Sequence, residues 1–125
     1  MNYVIVAVGG GIGTAFRYGV NVWAPRLIGP DYPGQTLIVN IVGCFVMGVL
    51  TELAALKLNF SQELRLFLTT GILGGFTTFS AFSLDFALMV ERREFVNAGG
   101  YLLASVVFSI AACFLGLAVV RSIFS

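Results

Sequence analysis

Gly71-Ile72-Leu73-Gly74-Gly75-Phe76-Thr77-Thr78-Phe79-Ser80-Ala81-Phe82-Ser83 lies inside a long apolar run from Leu64 to Val90, and its reading decides the fold. Glycine loses more backbone freedom in a helix than any other residue, so Gly74-Gly75 is a poor pair for a helix interior. The two threonines that follow can bond nearby backbone groups and compete with the helical ladder. The stretch therefore predicts a helix broken at Gly74-Gly75, with carbonyls released from the ladder. In hydrocarbon such carbonyls need a partner, and irregular backbone persists only where protein buries it or it lines a cavity. A second reading of the same glycines is a small-residue contact face between helices. The hydroxyls and phenylalanines that come directly after them favour a site.

The rest of the chain says what kind of solvent surrounds that run. Its 125 residues suit one domain. Hydrophobic residues make up 58% and charged residues 10%, with a mean hydropathy of +0.98. A water-soluble domain of this size would lack the polar surface to cover itself. The fold class is all-α integral membrane. A net charge of +1 with no basic tail excludes nucleic acid as a partner. There is no histidine and no nucleophile–base pair, so the chain is not read as an enzyme. Cys44 and Cys113 lie in apolar runs far from CxxC spacing, which reads as buried free thiols rather than a metal site or disulfide. Met1-Asn2-Tyr3 lacks the basic start of a signal peptide, so the first segment is expected to be retained.

Four apolar runs are each long enough for a bilayer, which needs about 20 residues. They are Tyr3 to Trp23, Thr36 to Leu56, Leu64 to Val90, and Phe95 to Phe124. The third is longer than necessary, as a broken crossing would be. Pro25 to Gln35 reads as a loop, with Lys57 to Glu63 and Glu91 to Glu94 as short polar turns. Lys57, Arg65 and Arg121 fall on one side of the membrane, and Arg26, Arg92 and Arg93 on the other. Orientation follows the excess of Lys and Arg in cytoplasmic loops, and here the two sides tie. A tie predicts insertion of copies both ways, unless the N-terminal amine or one residue decides. Four helices are few for enclosing a pathway, which favours an oligomer, and mixed insertion makes an antiparallel two-fold dimer available.

Within the runs, polar residues stand at helical spacing. Gly9-x-Gly11 superficially matches a dinucleotide-binding turn but has Thr14 in its last position, so Gly9-xxx-Gly13 reads as a packing face. Arg17 is costly inside a membrane. It either snorkels to the interface or serves as a positive lure at the mouth of an anion path. Thr36 and Asn40 are one helical turn apart and share a face. The Asn40 amide can donate to an anion or bond another helix. Glu52 near the far end reads as solvated. Phe76, Phe79, Phe82 and Phe86 form one helical stripe beside Ser80 and Ser83. Aromatic ring edges are partly positive, so edges with hydroxyl and amide donors suit a small anion stripped of water. Asp85, one to two turns beyond, faces a vestibule or caps a partner. Tyr101, Ser105 and Ser109 place three hydroxyls on one line, and Cys113 continues it. Serines in membrane helices also bond their own backbone. Ala112-xxx-Gly116 is a second packing face.

The segments Gly13-Thr14-Ala15-Phe16-Arg17-Tyr18, Val39-Asn40-Ile41-Val42-Gly43 and Gly74 through Ser83 resemble the Fluc (CrcB) fluoride channels, along the whole chain and its four-span plan. The resemblance implies an antiparallel, dual-topology homodimer in a bacterial plasma membrane, exporting fluoride passively through two pores to relieve its toxicity. It implies a structural sodium ion on the dimer axis, held by the carbonyls of Gly74 and Thr77 from both subunits. It implies a pore lined by Asn40, Phe79 and Phe82. A hydroxyl track would include Thr36, Ser80, Ser105 and Ser109, with Tyr101 nearby and Arg17 at a vestibule. Ala81 and Cys113 depart from the family's hydroxyls. The partners implied are fluoride, membrane lipid and a second copy of the chain. The competing class is a small dual-topology multidrug or cation exporter. That chemistry needs a membrane-embedded carboxylate, and the first span carries Arg17 instead.

Overall fold

The computed structural model describes residues 1–28, 34–56 and 61–124. Helix α1 spans Asn2–Ile28 and α2 spans Gly34–Leu56. The third crossing is composite. It opens with α3, Gln62–Arg65, continues as a π-helix over Leu66–Leu73, and ends its first half in α4, Gly74–Phe76. After an extended pair, α5 runs over Phe79–Glu91, and α6 covers Phe95–Phe124. Stretches at Asn2–Ala24, Gly34–Ala55, Gln62–Glu91 and Phe95–Phe124 are long and apolar enough to cross a membrane. The described residues are thus all-helical with four membrane-spanning stretches, as the apolar runs predict.

The break is real but displaced from its expected position at Gly74-Gly75. Gly74 has ordinary right-handed helical angles, φ −62° and ψ −37°. The chain leaves the helix at Thr77 (φ −82°, ψ 158°) and Thr78 (φ −152°, ψ 124°). The physical reason lies in what the residues touch. A methyl group on Gly75 would overlap the Gly10 carbonyl, so this glycine serves close approach to α1. The threonines carry the side chains that compete with the ladder. Thr77 Oγ1 donates to the Leu73 carbonyl at 2.9 Å, and Thr78 Oγ1 accepts the Ala81 N–H at 3.1 Å, capping α5. Phe76 consequently sits on the other side of the break from Phe79, Phe82 and Phe86, and the expected four-phenylalanine stripe is one of three.

Two helix pairs organise the packing. α1 lies against the first half of the third crossing: a methyl on Gly9 would come within 2.7 Å of the Phe67 carbonyl, and one on Gly13 would overlap the Ile72 carbonyl. Gly9-xxx-Gly13 is therefore the packing face it reads as. α2 lies against α6 through reciprocal notches. Gly48 meets the Cys113 carbonyl and Gly116 meets the Phe45 carbonyl, with no room for a Cβ at either. Phe82, Met89, Ala98 and Tyr101 form a small core between α5 and α6, with Leu37 and Phe86 against it. Large apolar side chains such as Val8, Phe16, Val96, Leu103 and Phe114 are exposed, as a lipid-facing surface requires.

Three further expectations change. α1 continues through Pro25 to Ile28 and α2 begins at Gly34, so the Pro25 to Gln35 loop shrinks; residues 29–33 lie outside the described residues. Proline near a helix end removes only one ladder bond, and Arg26 there complements the helix dipole while its guanidinium lies 5.6 Å from the Trp23 ring. The Lys57 to Glu63 turn falls partly outside the described residues, and Ser61 opens α3 by accepting the Leu64 N–H at 3.1 Å. Glu52, expected to be solvated, is buried. Arg121 of α6 donates to its Oε2 from Nε at 3.1 Å and Nη2 at 2.7 Å. A carboxylate at this depth needs such a partner.

Candidate anion-binding cavity at the broken helix

The site begins with Asn40. From α2 it reaches the extended pair of the third crossing, where its Nδ2 donates to the Thr78 carbonyl at 3.0 Å and its Oδ1 accepts the Thr78 N–H at 2.8 Å. Only an oxygen can accept that N–H, so the pairing fixes which end of the amide is which. In a continuing helix the Thr78 N–H would bond the Gly74 carbonyl, and the Ala81 N–H would bond the Thr77 carbonyl. Here the first goes to Asn40 and the second to Thr78 Oγ1. The carbonyls of Gly74 and Thr77 are thereby released from the ladder.

Beside this junction opens a cavity of about 300 Å³. Asn40, Cys44, Thr77, Thr78, Phe79 and Phe82 form much of its wall, and Ser105 and Ser109 of α6 complete the polar part. The hydroxyl oxygen of Ser105 is buried and has no hydrogen-bond partner among the described residues, and that of Ser109 is likewise buried, with the Cys44 thiol beside it. Buried polar atoms without partners are uncommon and call for an explanation. Asn40 also keeps one N–H beyond the one given to Thr78. The Phe79 and Phe82 ring centroids are 5.5 Å apart and tilted by 52°, and Phe82 is in turn 5.3 Å from Tyr101. Phe79 is exposed while Phe82 is buried.

A regular relationship between α2 and α6 produces this wall. Thr36 and Tyr101, Asn40 and Ser105, Cys44 and Ser109, Gly48 and Cys113 are all 65 residues apart. The helices are locked by their glycine notches, so each step of four residues brings the next pair together. The first pair shares Asp85: Thr36 Oγ1 donates to Asp85 Oδ2 at 2.9 Å and the Tyr101 hydroxyl at 3.1 Å. Asp85 is thus a shared acceptor inside the chain.

Other expected site residues stand apart from the cavity. Ser80 is exposed and lies 3.3 Å from Thr78 Oγ1. Thr36 and Tyr101 are buried beneath, on Asp85. Arg17 on α1 is half-buried, and its Nε has no hydrogen-bond partner among the described residues. Cys44 also joins this wall; no local motif marks it, and its spacing of four from Asn40 is the only sequence signal for it. Among the described residues no three His, Cys, Asp or Glu side chains stand together as a metal cluster. The released carbonyls are hard oxygen donors that fit an alkali cation.

The sequence matches the profile of the family described as CrcB-like protein, Camphor Resistance (CrcB), over residues 4–117. A protein of Agrobacterium fabrum named fluoride-specific ion channel FluC is 56% identical over 124 residues, 99% of each chain. A protein of Rhizobium etli with the same name is 58% identical over 120 residues, 96% of each chain. Another from Rhodopseudomonas palustris is 48% identical over 123 residues, 98% of this chain and 99% of the other.

Proposed function

This chain belongs to the CrcB-like family, a family of multi-pass bacterial membrane proteins that are channels rather than enzymes, and from that membership we propose that it is a passive, fluoride-selective channel. Its finer role is export of fluoride from the cytoplasm, which relieves fluoride toxicity. The supporting observation is a cavity lined by the amide of Asn40 and the serines Ser105 and Ser109, with the Ser105 hydroxyl buried and unpartnered among the described residues. A buried donor left unsatisfied costs about 1–3 kcal/mol. Ser105 and Ser109 both line this space, and the buried hydroxyl of Ser105 has no partner among the described residues, while Asn40 lines the same wall with one N–H to spare beyond its bond to Thr78. An acceptor that is small, anionic and strongly hydrated gains most from donors already in place, because they replace its water without reorganising. Phe79 and Phe82 add ring edges and exclude water.

Thr36 and Tyr101 have a different role in this state. Both hydroxyls are given to Asp85, so they serve a passing ion only after rotating off it. Ser80 extends the path at the exposed end of the break, and Arg17 supplies positive potential at a vestibule. Among the described residues the walls of the cavity carry no carboxylate, which disfavours a proton-coupled cation exporter.

The working unit is an antiparallel homodimer. In it the released carbonyls of Gly74 and Thr77 from both subunits would hold a structural sodium ion, which would supply fixed positive charge to offset the carbonyl dipoles. Purified protein in liposomes, in sodium-containing buffer, is expected to release fluoride and retain chloride when an ion-selective electrode reads the outer solution. Absence of fluoride release overturns the proposal. Replacing sodium with a large organic cation during purification is expected to abolish release.

A further inference from the structure

We infer that Cys44 is a modification site within the cavity, taking neutral thiophilic reagents such as organomercurials and closing the path when it does; the second half of this inference rests on the function proposed above. Three observations converge. Cys44 is a free thiol and forms part of the cavity wall with Asn40, Ser105 and Ser109. Ser105, another residue of that wall, is 6% exposed, and its buried hydroxyl oxygen has no hydrogen-bond partner among the described residues, which marks a space that takes a ligand rather than a packed core. The cavity's 300 Å³ is about ten times the ~30 Å³ share of a liquid water, enough for a small reagent at the thiol.

The chemistry selects the reagent. The wall is mostly apolar and lies at mid-crossing, where a charged reagent would have to shed its water. Sulfur ligands prefer soft metals. Methylmercury chloride is neutral and soft. In the reaction the S–H bond of Cys44 and the Hg–Cl bond break, a Hg–S bond forms, and proton and chloride leave. No electrons are transferred, and the product is neutral, so it sits in the cavity without a buried charge. Cys113 is also a free thiol, but it is one turn further along α6 and does not line the cavity. It therefore serves as the internal comparison.

The test uses purified full-length protein in liposomes, treated with methylmercury chloride, with two readouts. Peptide mass spectrometry is expected to find the adduct on Cys44 well before Cys113. Fluoride efflux is expected to fall at least tenfold and recover with excess dithiothreitol. Cys44→Ser keeps its own rate, whatever that is, after treatment, while Cys113→Ser is blocked like the parent. An unlabelled Cys44, an adduct on Cys44 without slowed efflux, or a blocked Cys44→Ser variant overturns the inference. If untreated protein passes no fluoride, the proposed function falls, and labelling of Cys44 ahead of Cys113 still decides whether the thiol is the cavity's reactive group.

Discussion

Asn40 and Thr78 are joined twice, amide Nδ2 to carbonyl and amide Oδ1 to N–H, at 3.0 and 2.8 Å. This side chain does for one residue of backbone what a neighbouring strand would do, and so lets the third crossing abandon its helix. Asn40→Ala leaves both Thr78 groups unsatisfied in a half-buried setting. The expected loss is about 2–4 kcal/mol, on the scale of one to three for each stranded group. Asn40→Asp keeps the acceptor but sets an oxygen against the Thr78 carbonyl, and should be nearly as harmful. Thermal unfolding in detergent reads this. An unchanged midpoint for both variants would show that Asn40 does not hold the break.

Most of the described glycines lie against backbone, Gly43 lies against the Thr77 side chain, and four have nothing within reach in the chain. Gly116→Ala would drive a methyl into the Phe45 carbonyl and push α6 off α2, with an expected cost of about 1–3 kcal/mol. Gly11, Gly19, Gly99 and Gly100 have nothing within 4 Å. In an isolated chain their replacement by alanine would stabilise the helix, by about 1 kcal/mol each. Any of the four that instead weakens the proposed dimer on size-exclusion chromatography would lie in its interface, and if all four leave that dimer intact, its interface would avoid them.

Glu52 and Arg121 form an unequal pair. The Glu52 side chain is 11% exposed and that of Arg121 is 62% exposed. Removing Arg121 strands a buried carboxylate. Loss of one partner from a fully buried pair costs about 3–5 kcal/mol, and water reaching the arginine's side reduces that here to about 1–3. Glu52→Gln keeps an acceptor and removes the buried charge, so it should cost no more than about 1 kcal/mol. Unfolding midpoints of Arg121→Ala and Glu52→Gln test the order. The reverse order would mean that Glu52 is wetter than its burial indicates.

The four crossings were legible because an apolar run of bilayer length has few other uses. The polar ladder was legible in part: Thr36 and Asn40 share a face, as do Tyr101, Ser105 and Ser109, by helical spacing alone. What spacing could not give is which helices meet. The break moved from Gly74-Gly75 to Thr77-Thr78 because its energetics depend on Asn40, 38 residues away. Glu52 read as solvated because its partner is 69 residues on. Asp85 reads two ways from sequence because the hydroxyls that settle it, Thr36 and Tyr101, lie 49 and 16 residues away. Each miss is a pairing between distant residues that no local rule encodes.

The turn between α5 and α6 offers a stabilising change. Glu94 N–H bonds the Met89 carbonyl and Arg93 N–H bonds the Val90 carbonyl, both at 2.9 Å, which is a Schellman close. The residue at its left-handed position is Arg93, with φ 61°, where glycine is usual. An L side chain there is strained by about 1–2 kcal/mol. Arg93→Gly relieves this but loosens the unfolded chain, so the expected net gain is about 0.5–1 kcal/mol. A lowered midpoint would show that the Arg93 side chain makes a compensating contact.

Phe79 is 77% exposed in the single chain yet stands on the rim of the cavity, 5.5 Å from Phe82. Bulk alone does not distinguish a plug from a ligand. Phe79→Ile retains an apolar side chain of comparable reach and removes only the ring with its positive edge. If the edge replaces part of the ion's hydration, fluoride efflux falls at least tenfold while size-exclusion behaviour is unchanged. If Phe79 merely fills space, efflux stays within about twofold of the parent. Phe79→Tyr separates the cases further, since it keeps the ring and should keep most of the flux. The pairing of a silent isoleucine variant with an active tyrosine variant is the signature of a ring that takes part in conduction, and equal rates in both would remove it from the path.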